Sequence, residues 1–129
     1  MSAKTVLLVD DEAPIRDAAA EALRRAGLSV IQAANGREGL DRIKAGEADL
    51  VVLDVIMPEM TGWDVLKAVR RDEKLANLPV VMLTILDSDG DVATGWSIGA
   101  DYYLSKPFAP ADLVDVVTRL LAAAETEGE

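Results

Sequence analysis

Reactive groups in this chain stand at the ends of apolar runs. Asp10, Asp11 and Glu12 follow TVLLV, Asp54 closes LVVLD, Thr84 closes VVMLT, and Lys106 follows DYYLS and precedes Pro107. A carboxylate delivered by an apolar run is costly to bury unless a cation or hydrogen-bond donors meet it. The chain contains no histidine and no cysteine. Imidazole acid–base chemistry, thiolate nucleophiles, disulfides and imidazole- or thiolate-ligated metals are therefore excluded. Any metal must sit on oxygen, which favours Mg²⁺, Mn²⁺ or Ca²⁺.

Brought together, these groups define one kind of chemistry. Two carboxylates about 5 Å apart repel by roughly 3 kcal/mol at an effective dielectric near 20. Asp10, Asp11 and Asp54 in one cluster raise each other's pKa values unless a divalent ion or Lys106 compensates. Mg²⁺ keeps several waters and needs only a few carboxylates. Lys106 is then available to Asp54, or to an anion that Asp54 carries. A carboxylate can accept a phosphoryl group as an acyl phosphate. A cation and a lysine neutralise the phosphoryl oxygens, and a threonine hydroxyl can donate to one of them. Each residue also has a plainer reading. Asp10 and Asp11 suit a helix N-terminus, Thr84 suits a strand end, Asp54 a turn, and Lys106 a surface loop.

The elements that must position these groups alternate. Strands are expected at 5–10, 29–34, 48–54, 78–84 and 101–105. Between them fall helical patterns: Ile15 to Ala26, with Pro14 in its first turn and Gly27 at its end,; 36–46, capped by Asn35; and 62–73, capped by Thr61,. A weaker helix over 88–100 carries Gly90 and Gly95, and a last helix starts at Pro110,. Strand–helix alternation implies right-handed βαβ units and a parallel sheet covered on both faces. The continuous apolar runs LVVL and VVML fit strands buried on both sides,. In such a sheet every strand C-terminus lies on one edge, where ligands bind. Asp10, Asp11, Asp54, Thr84 and Lys106 all come to that edge.

A chain of 129 residues, 50% of them hydrophobic, suits one domain,. We place that domain at 1–124 and read 125–129, ETEGE, as a disordered acidic tail,. The net charge of −10 with no basic run argues against direct nucleic-acid binding,. No apolar run reaches the roughly 18 residues of a membrane span. MSAKTVLLVDDE has no signal-peptide layout,. A cytoplasmic protein without membrane association is the expectation.

The pieces LLVDDE, VVLDVIMPEMTGWDVL, VVMLT and GADYYLSKPF, at this spacing, resemble the receiver domain of two-component response regulators, of the chemotaxis type, over nearly the whole chain. The resemblance implies a flavodoxin-like three-layer (βα)5 sandwich with strand order 2-1-3-4-5 and five helices. It makes Asp54 the phosphoacceptor. Asp11 would bind Mg²⁺ directly, helped by Asp10, with Asp54 and the backbone carbonyl of Ile56 completing the protein ligands. Thr84 and Lys106 would contact the phosphoryl group. The Lys106–Pro107 bond would be cis, and Pro58 and Gly62 would shape the loop after Asp54. Tyr103 falls at the switch aromatic, turning inward as Thr84 moves. The switching surface would be the fourth helix, fifth strand and fifth helix, with Trp96, Tyr102 and Tyr103 on it. The donor would be a histidine kinase or histidine phosphotransfer protein, and the reader a downstream protein. A phosphorylation-dependent homodimer is one further outcome that the resemblance allows. Such a protein is a phosphoacceptor that slowly dephosphorylates itself, not a turnover enzyme.

This sequence departs from the family pattern in places. Ile85 stands where a small residue is usual, which narrows access to Asp54. Trp96 and Tyr102 add aromatics to the switching face. Ala109 stands where a capping Asp or Ser is common, costing on the order of 1 kcal/mol. Three rivals remain. One is a degenerate receiver that docks partners without phosphorylation. Another is an aspartyl phosphohydrolase, opposed by Ile56 at the position of its second Asp. The third is a flavodoxin-like redox carrier, opposed by the acidic cluster and the missing phosphate-cradling loop after the first strand.

Overall fold

The computed structural model describes residues 3–85 and 99–127. The predicted helix over 88–100, apart from Gly99 and Ala100, lies outside them, and so does Trp96. The elements are β1 (Thr5–Val9), α1 (Ala13–Arg25), β2 (Ser29–Ala33), α2 (Gly36–Lys44), β3 (Leu50–Asp54), α3 (Gly62–Arg71), a 3₁₀ turn (Glu73–Leu75), β4 (Val80–Thr84), β5 (Tyr102–Ser105) and α4 (Pro110–Glu127). The strands form one parallel sheet in the order β2-β1-β3-β4-β5.

The apolar strands split by side-chain alternation into two cores, one on each face. Leu7, Val9, Val51, Leu53, Val80 and Met82 pack with Leu40 and Ile43 of α2 and Val65, Leu66 and Val69 of α3. Val6, Leu8, Leu50, Val52, Val81 and Leu83 face the other way, onto Ala19, Ala20 and Leu23 of α1 and Leu113 and Val117 of α4. Each of the Val, Leu, Ile and Met side chains contributes roughly 1.5–3 kcal/mol on burial. Two covered faces leave only the sheet edges and strand ends for polar groups.

Local chemistry sets the helix starts as expected. Asn35 accepts from the Glu38 N–H at 2.8 Å. Thr61 forms a reciprocal capping box with Asp64,. Pro14 lies in the first turn of α1. Pro110 opens α4, and the Lys106–Pro107 bond is cis. Some boundaries differ. α3 stops at Arg71, because Asp72 turns extended and its carboxylate caps the 3₁₀ turn through the Lys74 N–H. β3 starts at Leu50 and β4 at Val80. The domain boundary expected at 124 falls within α4, which continues through Glu127, and the last two residues of the expected tail lie outside the described residues. Ala122, Ala123 and Ala124 favour helix strongly, no breaker intervenes before Gly128, and Lys4 pairs with Glu125 at 3.6 Å. No helix among the described residues is long and apolar enough to cross a membrane.

The loop after β3 carries backbone strain. Glu59 has φ 67°, and across it the Met60 N–H donates to the Pro58 carbonyl at 2.8 Å, a γ-turn geometry,. A non-glycine residue pays for this backbone, and the Glu59 side chain is exposed. Glu59→Gly is therefore expected to raise stability by about 0.5–1 kcal/mol, the relief being partly offset by unfolded-chain entropy. Urea denaturation of the two proteins checks it; a loss of stability would show that Glu59 makes a compensating interaction.

Candidate functional site

The C-terminal ends of β1, β3, β4 and β5 converge. Asp10 follows β1 directly, and its N–H still pairs with the Ala33 carbonyl at 3.2 Å. Asp54 is the last residue of β3. Asp54 lies opposite Leu83 in β4, and the next residue, Thr84, lies opposite Ser105. The Thr84 carbonyl accepts the Lys106 N–H at 2.9 Å. Sheet register thus delivers Lys106 to the carboxylates.

Asp10, Asp54 and Thr84 are all buried, at 0%, 4% and 4% exposure. The Lys106 ammonium lies 3.0 Å from Asp10 Oδ2, 3.1 Å from Glu12 Oε1 and 3.2 Å from Asp54 Oδ2. Asp10 Oδ1 accepts the Glu12 N–H at 2.9 Å. Asp10, Asp11, Glu12 and Asp54 each bring a carboxylate oxygen within 4.8 Å of the others. Four carboxylates around one ammonium leave an excess of negative charge. An all-oxygen donor set of this kind suits a hard divalent cation. A cleft of about 190 Å³ opens onto the cluster, lined by Asp11, Glu12, Asp54, Ile56, Ile85 and Lys106. Ile56 and Ile85 are 50% and 63% exposed, which puts apolar side chains at its mouth.

The electrostatics follow from burial. Burial pushes the Asp54 carboxyl up to about 7, and the charge of Asp10 pushes the same way, with a smaller push from Asp11. The charge and hydrogen bond of Lys106 pull it down without cancelling the rise. For Lys106, burial acts to lower the pKa, but the hydrogen bond to Asp10, the charges of Asp54 and Asp10 and the bond to Glu12 outweigh it. The ammonium is thus held charged, and Asp54 waits for more positive charge.

Among the expected residues, Asp11, Asp54, Ile56 and Lys106 line this cleft, and the fully buried Asp10 joins them through Lys106. Thr84 stands one register step away, at the end of β4. Tyr103 lies on the α3 side of the sheet, half-buried against Trp63, with ring centroids 6.0 Å apart and planes tilted by 51°. Its neighbour Tyr102 is exposed, at 42%. Three participants escaped sequence reasoning: Glu12 as a partner of Lys106, Trp63 as a partner of Tyr103, and Arg16, which binds the Asp10 carbonyl. Only the DDE run hinted at the first.

The family model described as the response regulator receiver domain matches residues 6–118. The chain belongs to that family, the receiver domains of two-component systems. It is 39% identical over 114 residues to the phosphate regulon transcriptional regulatory protein PhoB of Pseudomonas aeruginosa, covering 88% of this chain and 50% of that protein. It is 37% identical over 122 residues to the alkaline phosphatase synthesis transcriptional regulatory protein PhoP of Bacillus subtilis, covering 95% of this chain and 50% of that protein. The chain spans about half the length of these curated relatives. Among solved structures, a CheY-like receiver domain protein from Methanospirillum hungatei superposes with a TM-score of 0.91 at 30% identity, over 98% of this chain and 99% of that one. Chemotaxis protein CheY4 of Vibrio cholerae gives 0.86 at 37% identity, over 92% and 99%.

Proposed function

We propose that this receiver accepts a phosphoryl group on Asp54 from the phosphohistidine of a histidine kinase or phosphotransfer protein. The observation that carries the reading is the Lys106 ammonium, 3.2 Å from Asp54 and 3.0 Å from Asp10 at the floor of an open acidic cleft. An Asp54 oxygen attacks phosphorus, the P–N bond to the donor imidazole breaks with its electron pair going to that nitrogen, and the histidine, already protonated on its other ring nitrogen, leaves as neutral imidazole. Asp54 must be ionised to attack, and added positive charge at the cluster favours that form. Asp10, Asp11, Asp54 and the Ile56 carbonyl would hold Mg²⁺, which when bound supplies charge neutralisation to the phosphoryl oxygens. Lys106 turns from Asp54 to a phosphoryl oxygen, with Glu12 and Asp10 as its remaining counterions. The Thr84 hydroxyl donates to another oxygen. The apolar collar of Ile56 and Ile85 slows entry of small donors and of hydrolytic water.

The output in this reading is a population shift read by a downstream protein. As Thr84 moves, Tyr103 shifts against Trp63, altering the face that carries Tyr102. A phosphorylation-dependent homodimer through that face is part of the proposal. Turnover chemistry is not, because the phosphoryl group stays on the protein until slow hydrolysis.

Intact mass after incubation with Mg²⁺ and acetyl phosphate, and then with a promiscuous histidine kinase, tests it. One alkali-labile phosphoryl adduct, dependent on Mg²⁺ and lost in Asp54→Asn, is expected. Adduct with the kinase alone assigns the Ile85 collar as a gate against small donors. No adduct with either donor overturns the phosphoacceptor reading in favour of a receiver that docks partners unphosphorylated.

A further inference from the structure

Three of the four polar atoms of Asp10 are hydrogen-bonded, and the fourth, the buried Oδ2, is met only by the Lys106 ammonium. Its N–H bonds Ala33, its Oδ1 accepts from Glu12, and its Oδ2 faces Lys106. Its carbonyl accepts Arg16 Nη1 at 2.7 Å. That carbonyl shares a rigid plane with the Asp11 N–H and Cα. Fixing it therefore fixes the N–Cα bond of Asp11, so that only rotation about that bond and χ1 still aim its side chain. Arg16 is itself held: its Nε donates to Gln32 Oε1 on β2 at 3.1 Å. Both side chains are half-buried. A guanidinium offers two rigidly related donor directions, and here one meets Gln32 while the other meets the Asp10 carbonyl.

We infer that Arg16, braced by Gln32, is a positioning residue for the metal-binding loop, holding the Asp10–Asp11 peptide so that Asp11 faces the cleft. The inference rests on the reading of Asp11 as a Mg²⁺ ligand. Charge and bracing predict opposite signs. A cation near the cluster weakens Mg²⁺ binding by repulsion, so its removal tightens binding. A brace strengthens binding, so its removal weakens it. Arg16→Lys keeps the charge but loses the fork. Gln32→Ala keeps the arginine but frees it.

Calorimetric Mg²⁺ titration of the full chain separates these cases, with apo melting in EDTA recorded for each variant and Asp11→Asn as control. The brace predicts roughly tenfold weaker Mg²⁺ binding in Arg16→Lys and a smaller loss in Gln32→Ala, with the apo melting temperature nearly unchanged. Unchanged affinity in both variants overturns it. So does tighter binding in Arg16→Met with no change in Arg16→Lys, which would make Arg16 a mere charge. If the wild-type chain and Asp11→Asn both ignore Mg²⁺, the metal reading itself fails and the inference falls with it. Mg²⁺ binding that is lost in Asp11→Asn but kept in the brace variants sinks the inference alone.

Discussion

Lys106→Met is expected to lose about 2–4 kcal/mol of stability near pH 8 in metal-free buffer, and much less near pH 5. Lys106 meets Asp10 and Asp54, both buried, as well as the more exposed Glu12. Removing one partner of a buried pair leaves uncompensated charge, which costs more than the pair itself contributes. The sign with pH follows from Asp54. Burial and Asp10 already hold its folded pKa near 7, above the ordinary value of 3.8. A carboxyl raised on folding binds its proton more tightly in the folded state. Its stabilising contribution is full below the unfolded pKa and is lost as pH rises through the folded one. Without the ammonium the folded pKa rises further, so the deficit of the variant opens as pH rises through about 7, where wild-type Asp54 ionises,. Mg²⁺ is expected to recover part of the loss, because a divalent cation can meet the same carboxylates. Urea denaturation across this pH range, with EDTA and then with Mg²⁺, checks the prediction. A deficit independent of pH would mean that lost packing of the lysine stem, not charge, dominates.

Gly62→Ala is expected to cost about 3 kcal/mol and to slow phosphoryl uptake on Asp54 more than tenfold. A Cβ at Gly62 would lie 2.3 Å from the Asp54 carbonyl oxygen and 3.0 Å from both the Asp54 carbonyl carbon and Met82 Cε. The first obstacle is backbone and cannot swing aside. Gly62 cannot retreat either, because its N–H donates to the Val55 carbonyl at 3.0 Å. The strand end that carries Asp54 must therefore shift, and with it the distance to Lys106. Gly46→Ala is the matched control. Gly46 has φ 76° with open space around it, so its substitution strains the backbone by about 1 kcal/mol and leaves the site alone. Melting curves and the rate of adduct formation on both variants decide the matter. Wild-type uptake in Gly62→Ala would show that the β3 end tolerates displacement.

Much of this protein was legible in its sequence for a local reason. Strand period, helix caps and the proline and glycine breaks are properties of neighbouring residues. Asn35, Thr61 and Pro110 act where their spacing placed them. Because strands alternating with helices must run parallel, the polar residues closing each apolar run had to share one edge. The sequence pattern alone therefore groups Asp10, Asp54, Thr84 and Lys106. The sequence did not determine which partner each long side chain takes. Lys106 meets Glu12 only because the loop after β5 packs beside the start of α1, where Pro107 and Phe108 lie against Pro14 and Ile15. Trp63 meets Tyr103 only because α3 covers the face of the sheet on which the Tyr103 side chain packs. Arg16 reaches Gln32 and the Asp10 carbonyl because β2 sits outside β1. Each of these contacts joins residues from different elements. Their geometry comes from the packing of layers, which no local pattern of residues encodes.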